Sequence, residues 1–421
     1  MMRIQEQGEI LSVRSLHGTE LERAAESASC PKLPASLENA RVAIVHYWFV
    51  SRRGGEKVVE AMASMFPQAD IFSVVVDDEA LPESLRGRTV TTSFLQKIPG
   101  STRWHRRFLP LYPLALEQFD LSAYDLVLSS ESGPAKGVLT RAGACHVCYC
   151  HSPMRYVWDL YHHYKNGATL GRFSRPIFAL ATHYLRLWDS ASADRVDYFV
   201  ANSHNIAARI HKQYRRESTV IHPPVDTHAG YLAARTEDYY LVAGQLVDYK
   251  RVDLAIEVCN QLGRRLHVVG EGDQYARLRR TAGPTISFLG ALPDRDLREQ
   301  YARCRALLFP GEEDFGMVPV EAQSFGRPVI AFGRGGALET VKPAVDGSSQ
   351  CPESSTGVFF QEQSAGALAG AVLSFEKIDH RFDSRLIQER SSRFAPEHFR
   401  RKFSDFLTRK WLEFQDGDRR T

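Results

Sequence analysis

Apolar residues come along this chain in short unbroken runs, and behind several of them the period changes to that of a helix. "RVAIVHYWF" begins with such a run, a strand from about Arg41 to His46. In "SRRGGEKVVEAMASMF" Gly54 and Gly55 make a turn, and Val58, Val59, Met62 and Met65 then recur at helical spacing. "ADIFSVVV" is the next strand. A strand, a glycine loop, a helix and a second strand in this order indicate a parallel α/β sheet. "YDLVLSS", "CHVCYC" and "DYFVANS" continue the series, and the last runs into the helix "HNIAARIHKQY".

Pro223 and Pro224 in "STVIHPPVD" fix an extended stretch. Beyond it a second series starts. "YYLVAGQLVDYKRVDLAIEVCNQL" reads strand, loop, helix, and "RLHVVGEGDQYARLRRTA" repeats the plan. "ISFLG", "ALLFP" and "RPVIAFG" are further strands. "APEHFRRKFSDFLTRKWLEF", from about residue 395, is an amphipathic helix. These elements predict a flexible N-terminal extension (1–38), two Rossmann-like domains (39–225 and 226–395) and a C-terminal helical segment (396–421). Two such domains joined by a proline-rich hinge enclose a cleft, and ligands in such folds sit at the carboxyl ends of the strands.

Composition narrows the picture. Of 421 residues, 43 % are hydrophobic and 24 % charged, as in a soluble enzyme with sizeable cores. The net charge of +3 does not suggest wholesale nucleic-acid binding. No apolar run is long enough to span a membrane, and the first 20 residues lack the apolar core of a signal peptide, so a cytoplasmic protein is expected. Seven scattered cysteines argue against a disulfide framework. "CHVCYCH" has the residue types of a zinc site, but no second cluster completes four ligands. As a buried strand it would place Cys148 and Cys150 on one face and Cys145 on the other.

"GEEDFGMVPVEAQSFGRP" carries the chemistry. It follows the strand "ALLFP", so "GEEDF" is a loop at a strand's carboxyl end, and the helix starts close to Gly316 or Met317, with Pro319 in its first turn. Glu313 then lies in the loop and Glu321 in the helix. The amides of Phe315 to Val318 point out of the helix start, which is a ready anion site with a carboxylate on either side. Carboxylates accept hydrogen bonds from sugar hydroxyls. The pattern fits a nucleotide sugar held by its sugar, its diphosphate and its ribose. The bland alternative is an exposed loop acid and a solvated helix residue.

This stretch, with "AGQLVDYKRVDLAIEV", "HVVGEGDQYARL", "CYCHSPMRYVWD" and "HYWFVSRRGGEKVVEAM", resembles the retaining GT-B glycosyltransferases of family 4 over about residues 40–412. It looks most like the mannosyltransferase-like members that build bacterial surface polysaccharides. The resemblance implies a GT-B fold whose C-terminal helix packs back on the N-domain. It implies that Glu313 contacts the transferred sugar, that Glu321 contacts the ribose, and that Phe315, Gly316 and Met317 offer amides. Lys250 would neutralise the diphosphate, helped by Arg251. The family often has an arginine where this chain has Gln245, which puts that residue's role in doubt. Gly54 and Gly55 would approach the donor phosphate without a Cβ in the way. Arg52, Arg53 and Lys57 flank them and would either attract the diphosphate or form a solvated turn. Gly272 would lie near the nucleotide, His151 beside the reacting sugar, and Arg155 and Tyr156 on the acceptor side.

The implied reaction moves a sugar, mannose by resemblance, from GDP-mannose or a similar donor to a glycan or lipid-linked acceptor. The nucleotide sugar is a co-substrate, and no metal or other cofactor is expected. "STRWHRRFLPLYPLAL" (101–116) mixes arginines with Trp104, Phe108, Leu109 and Tyr112, which suits contact with anionic lipids at the inner face of the membrane. A helix packed on the N-domain with solvated arginines is the alternative. Two other functions keep much of the pattern: a GT-B-like sugar-nucleotide epimerase or phosphorylase, and a non-catalytic glycan- or lipid-binding protein.

Overall fold

In a computed structural model, residues 33–51, 54–166, 171, 174–344 and 355–418 are described. The chain folds into two all-parallel sheets. The first contains β1 (Val42–His46), β2 (Asp70–Ser73), β3 (Val90–Thr92), β4 (Leu126–Glu131), β5 (Cys145–Cys150), β6 (Tyr198–Ala201) and β7 (Ser218–Val220). Their order is β3-β2-β1-β4-β5-β6-β7. The second contains β8 (Tyr240–Ala243), β9 (Leu266–Val269), β10 (Ile286–Gly290), β11 (Ala306–Phe309), β12 (Val329–Phe332) and β13 (Gly357–Phe360), in the order β10-β9-β8-β11-β12-β13. Strand order reverses between β1 and β4 and again between β8 and β11. Crevices for ligands form at such switch points.

Five helices shape the cleft and its surroundings: α1 (Gly54–Met65), α2 (Ser174–Ser192), α3 (His204–Tyr214), α4 (Met317–Ser324) and α5 (Pro396–Asp418). α4 begins where the sequence places it, after Gly316 at φ 85°, with Pro319 in its first turn. β5 is fully buried. Cys148 and Cys150 pack in one cluster and Cys145 in another, all as free thiols, which is the strand reading of "CHVCYCH". Among the described residues no group of three or more His, Cys, Asp or Glu is placed to hold a metal ion.

α5 returns from the second sheet to the first, as the resemblance implied. Phe399, Phe403, Phe406 and Trp411 share one core with Val42, Ile44 and Met62. Tyr149 of β5 meets the Phe399 ring edge-on at 5.7 Å, and Trp411 Nε1 donates to Ser36 Oγ at 3.1 Å. Of the expected extension, residues 1–32 lie outside the described residues, while Ala35–Glu38 form a helical turn with Leu37 buried in this same core. Arg52 and Arg53 also lie outside the described residues.

Segment 101–116 forms three short helical pieces. Tyr112, expected at a lipid interface, is instead fully buried, and burial holds its phenol above the usual range. Among the described residues no helix is long and apolar enough to cross a membrane.

The packing of α5 yields a stability prediction. Phe403→Ala deletes a ring that is 0 % exposed, and should cost about 3–5 kcal/mol by leaving a cavity in the first domain's core. Urea unfolding followed by tryptophan emission measures this. An unchanged midpoint would mean that α5 does not stabilise the N-terminal domain.

Candidate functional site

The two switch points face each other across the cleft, and glycines bring the backbones close. A Cβ on Gly54 would fall 2.2 Å from Met317 Sδ, so the first turn of α1 meets the first residue of α4. A Cβ on Gly55 would stand 3.2 Å from Tyr47 Oη and 3.6 Å from His151 Nε2. The glycine loop, the histidine loop and the α4 N-terminus thus come together as the sequence suggested.

On the donor side Lys250 Nζ lies 2.9 Å from Glu313 Oε1, with both side chains mostly shielded. Burial pulls the Lys250 ammonium down, but the charge of Glu313, with Tyr249 and Glu321 adding to it, leaves it above its ordinary value. Gln245 lines the same hollow as Lys250, Glu313 and Pro310, at the β8–β11 switch point. Glu321 accepts from Tyr301 Oη at 3.0 Å and is reached at 3.4 Å by Lys57 Nζ from the opposite domain. Phe315 is buried and stacks on His222 at 5.4 Å. Gly335 and Gly336 lie so close to the 313–315 backbone that a Cβ on either would clash, and Gly336 N–H donates to the Glu313 carbonyl at 2.8 Å. The first-turn amides of α4 have no intrahelical acceptor and face the cleft with the positive end of the helix dipole.

Other expected residues are placed elsewhere. Arg251 sits at φ 51° and puts its guanidinium on Asp253 at 3.1 Å and Gln363 at 3.4 Å, turned away from the lysine–glutamate pair. Gly272 packs its Cα against the Leu246 backbone, where a Cβ would come within 2.2 Å of the carbonyl oxygen, so it buttresses the 244–246 loop. Tyr156 turns its hydroxyl to Met154 Sδ and packs beside Val157 and Leu185 inside the N-domain. Arg155 lies over the Tyr249 ring at 5.0 Å and 3.7 Å from Asp314.

The sequence reading missed Asp314. It belongs to the second domain, yet its partners are in the first: Arg209 of α3 donates to Oδ1 at 2.7 Å, and Ser203 Oγ donates to its carbonyl at 2.7 Å. Arg209 also pairs with Asp159. A second tie joins the start of α3 to Glu339, whose carboxylate accepts from His204 N–H at 3.0 Å and Asn205 N–H at 3.2 Å. An acid at a helix N-terminus is favourable. No local pattern announces these pairs, because Asp314 and Arg209 are distant in sequence.

His151 is neutral. Its Nε2 meets Ser130 Oγ at 2.9 Å, its backbone N–H donates to the Glu131 carbonyl, and Asn202 Nδ2 donates to the His151 carbonyl. Burial, with His46 beside it, pushes its imidazole down to about 3. Behind it lies a buried triad. Lys136 Nζ reaches Asp189 and, at 3.4 Å, Glu131, while Trp158 Nε1 and Tyr214 Oη donate to Asp189. Burial pushes Glu131 up to about 7 despite Lys136. The triad braces the end of β4 on which Ser130 sits.

Known proteins share this architecture. The family pattern described as Glycosyl transferases group 1 matches residues 226–392, and that of Glycosyltransferase Family 4 matches 52–229. A GDP-mannose-dependent alpha-mannosyltransferase of Mycobacterium tuberculosis is 38 % identical over 101 residues, 24 % of this chain and 26 % of that protein. A glycogen synthase of Xanthomonas campestris is 33 % identical over 147 residues, 32 % of this chain and 29 % of that protein. The chain therefore aligns with under a third of the length of these relatives. Among solved structures, a sucrose-phosphate synthase of Thermosynechococcus elongatus superposes with a TM-score of 0.65 at 17 % identity, covering 89 % of this chain and 100 % of that one. Anabaena HepE in complex with UDP gives 0.63 at 16 % identity, covering 87 % and 99 %. These likenesses establish the fold.

The geometry generates two predictions. Asp314→Ala removes a charged cross-cleft hydrogen bond, of a kind worth about 1.5–3 kcal/mol, and should open the domains. Small-angle scattering should then show a larger radius of gyration than for the wild type or for Glu312→Ala, an exposed neighbour; equal radii would show that Asp314 does not hold the domains together. His151 should tax stability in acid. An unfolded histidine takes a proton near 6.5, whereas the folded one stays neutral to about 3. Below about 6.5 the unfolded chain binds more protons, so stability falls as pH falls. The urea midpoint of the wild type should drop more between pH 7 and pH 5 than that of His151→Gln, and parallel drops would refute the neutral ring.

Proposed function

The chain belongs to the group 1, family 4 glycosyltransferases, and we propose that it transfers mannose, with retention, from GDP-mannose to a glycan or lipid-linked acceptor. The observation that carries this reading is the set at the α4 N-terminus: Lys250 on Glu313, Glu321 about one turn into α4, and Lys57 reaching over from the other domain. A diphosphate fits between the α4 amides and the Lys250 ammonium, where its developing charge is stabilised as it leaves. Glu313 has a second oxygen for sugar hydroxyls, and Glu321 has the reach for a ribose. The bond from the anomeric carbon to the diphosphate breaks with its electron pair staying on the diphosphate. A bond to the acceptor hydroxyl oxygen forms on the same face, and the hydroxyl proton passes to the diphosphate or to water. His151, neutral and beside Gly55, orients the reacting sugar or the acceptor by hydrogen bonding. This reading uses no metal.

The mycobacterial relative's name supports a GDP-mannose donor, and its short overlap makes this a proposal for the present chain. Synthesis of a bacterial surface polysaccharide, at the inner face of the cytoplasmic membrane, is the setting we assign. Arg251 and Gly272 act at a distance, by fixing the loops at 250 and 245. Gln245 can donate one hydrogen bond to the diphosphate but brings no charge.

A thermal-shift panel with GDP, UDP, ADP and their sugars tests the donor. A ligand that binds only the folded state at about 100 times its Kd adds about 2.7 kcal/mol. GDP and GDP-mannose should raise the Tm of the wild type, but not of Lys250→Ala or Glu321→Ala. Stabilisation by UDP alone would overturn the mannose assignment, and no shift with any nucleotide at saturating concentration would overturn the donor site.

A further inference from the structure

α2 has a buried face and, turned away from it, an exposed apolar stripe. Its inner face buries Thr182, Leu185 and Asp189. Its outer face exposes Ile177 (70 %), Leu180 (73 %), Tyr184 (48 %) and Leu187 (60 %). At ~100° per residue these four fall within an arc of ~80°. Large apolar side chains grouped and exposed on one helix face mark an interface.

The neighbouring segment extends the patch. Leu109 packs against the cluster that includes Leu185 of α2, which sets the 105–111 turn against this helix. In that segment Trp104 (45 %), Leu111 (43 %) and Leu114 (52 %) are exposed, and so are Arg103, Arg106 and Arg107. No acid occurs in residues 101–116 or 174–188. The first acid after each stretch is already engaged, Glu117 by Arg195 and Asp189 by Lys136. The surface therefore combines apolar side chains with arginines and lacks the acids that would repel anionic lipid.

We propose that α2, with the 101–114 turn beside it, is the surface by which this protein docks on an anionic lipid bilayer, the α2 stripe entering the acyl boundary and Arg103, Arg106 and Arg107 contacting headgroup phosphates. This gives the membrane setting assigned above a definite surface, and it does not depend on the identity of the donor. Apolar insertion supplies affinity in any bilayer, and the arginines supply preference for negative headgroups that weakens with salt. A soluble second protein would need acids opposite the arginines and would bind without lipid.

The test is sedimentation of the full chain with sucrose-loaded vesicles of phosphatidylcholine, with and without phosphatidylglycerol. The wild type should pellet with the mixed vesicles, less with phosphatidylcholine alone, and less at raised salt. Leu180→Asp should weaken binding by about tenfold or more, in line with losing one buried leucine. Arg103→Glu with Arg106→Glu and Arg107→Glu should abolish the preference for phosphatidylglycerol while leaving the donor thermal shift unchanged. Light scattering without lipid reports the alternative occupant. A dimer that Leu180→Asp converts to a monomer would overturn the proposal in favour of a second copy. No pelleting by the wild type, or equal pelleting by both variants, would also overturn it. The donor panel is read on separate samples, so either idea can fail alone.

Discussion

Two consecutive acids hold the cleft in register. In the extended loop before α4, Glu313 and Asp314 point to opposite sides, as neighbouring side chains of an extended segment must. Glu313 turns to Lys250 of its own domain, and Asp314 turns to Arg209 and Arg155 of the other. The loop cannot shift without moving both contacts. Gly335 and Gly336 press on its backbone, so its height above the β11 end is fixed by close packing rather than by side-chain bonds alone. The start of α4 follows directly from this segment.

The acceptor side is built differently. There the functional group is uncharged, and charge is confined beneath it. Lys136 is fully buried with two carboxylates, an arrangement that tolerates no lost partner, because a single remaining buried charge is costly. Asp189 brings α2 into this triad through Lys136 and through the Trp158 and Tyr214 hydrogen bonds. The helix that presents the outer apolar stripe is therefore fastened to the strand end carrying Ser130 and Glu131, which in turn hold His151. A continuous set of buried contacts therefore runs from α2 to the histidine.

The two parallel sheets and the start of α4 were legible in the sequence because local signals fix them. Buried parallel strands read as apolar runs, glycine turns mark strand ends, and Pro319 is tolerated only in a first turn. What escaped is non-local. Asp314 looks like one more loop acid until Arg209 is folded against it. Tyr112 looks like an interface residue by type and Tyr156 like an acceptor-side residue by resemblance, and only packing shows that the former is in the core and the latter's hydroxyl is on Met154. Arg251 was read beside Lys250 by adjacency, but its positive φ turns it to Asp253. The α2 stripe escaped because an apolar helix face reads as a core face, and period alone does not say whether anything packs on it.

Charge counting then says which feature does most for an anionic donor. Lys250 is matched by Glu313 and Lys57 by Glu321, so the two pairs add no net charge to the cleft. Arg251 is matched by Asp253, and position 245 holds a neutral glutamine. Among these described groups, the positive feature left without a countercharge is the end of α4, with first-turn amides aimed into the cleft. On the proposed reading, a diphosphate gains most from those amides and from Lys250 as a hydrogen-bond donor, and least from bulk positive potential. Part of that gain depends on where Lys57 stands, and Lys57 belongs to the other domain. The bond between Asp314 and Arg209 keeps that domain near, so the contact that closes the cleft also completes the charge balance around the anion.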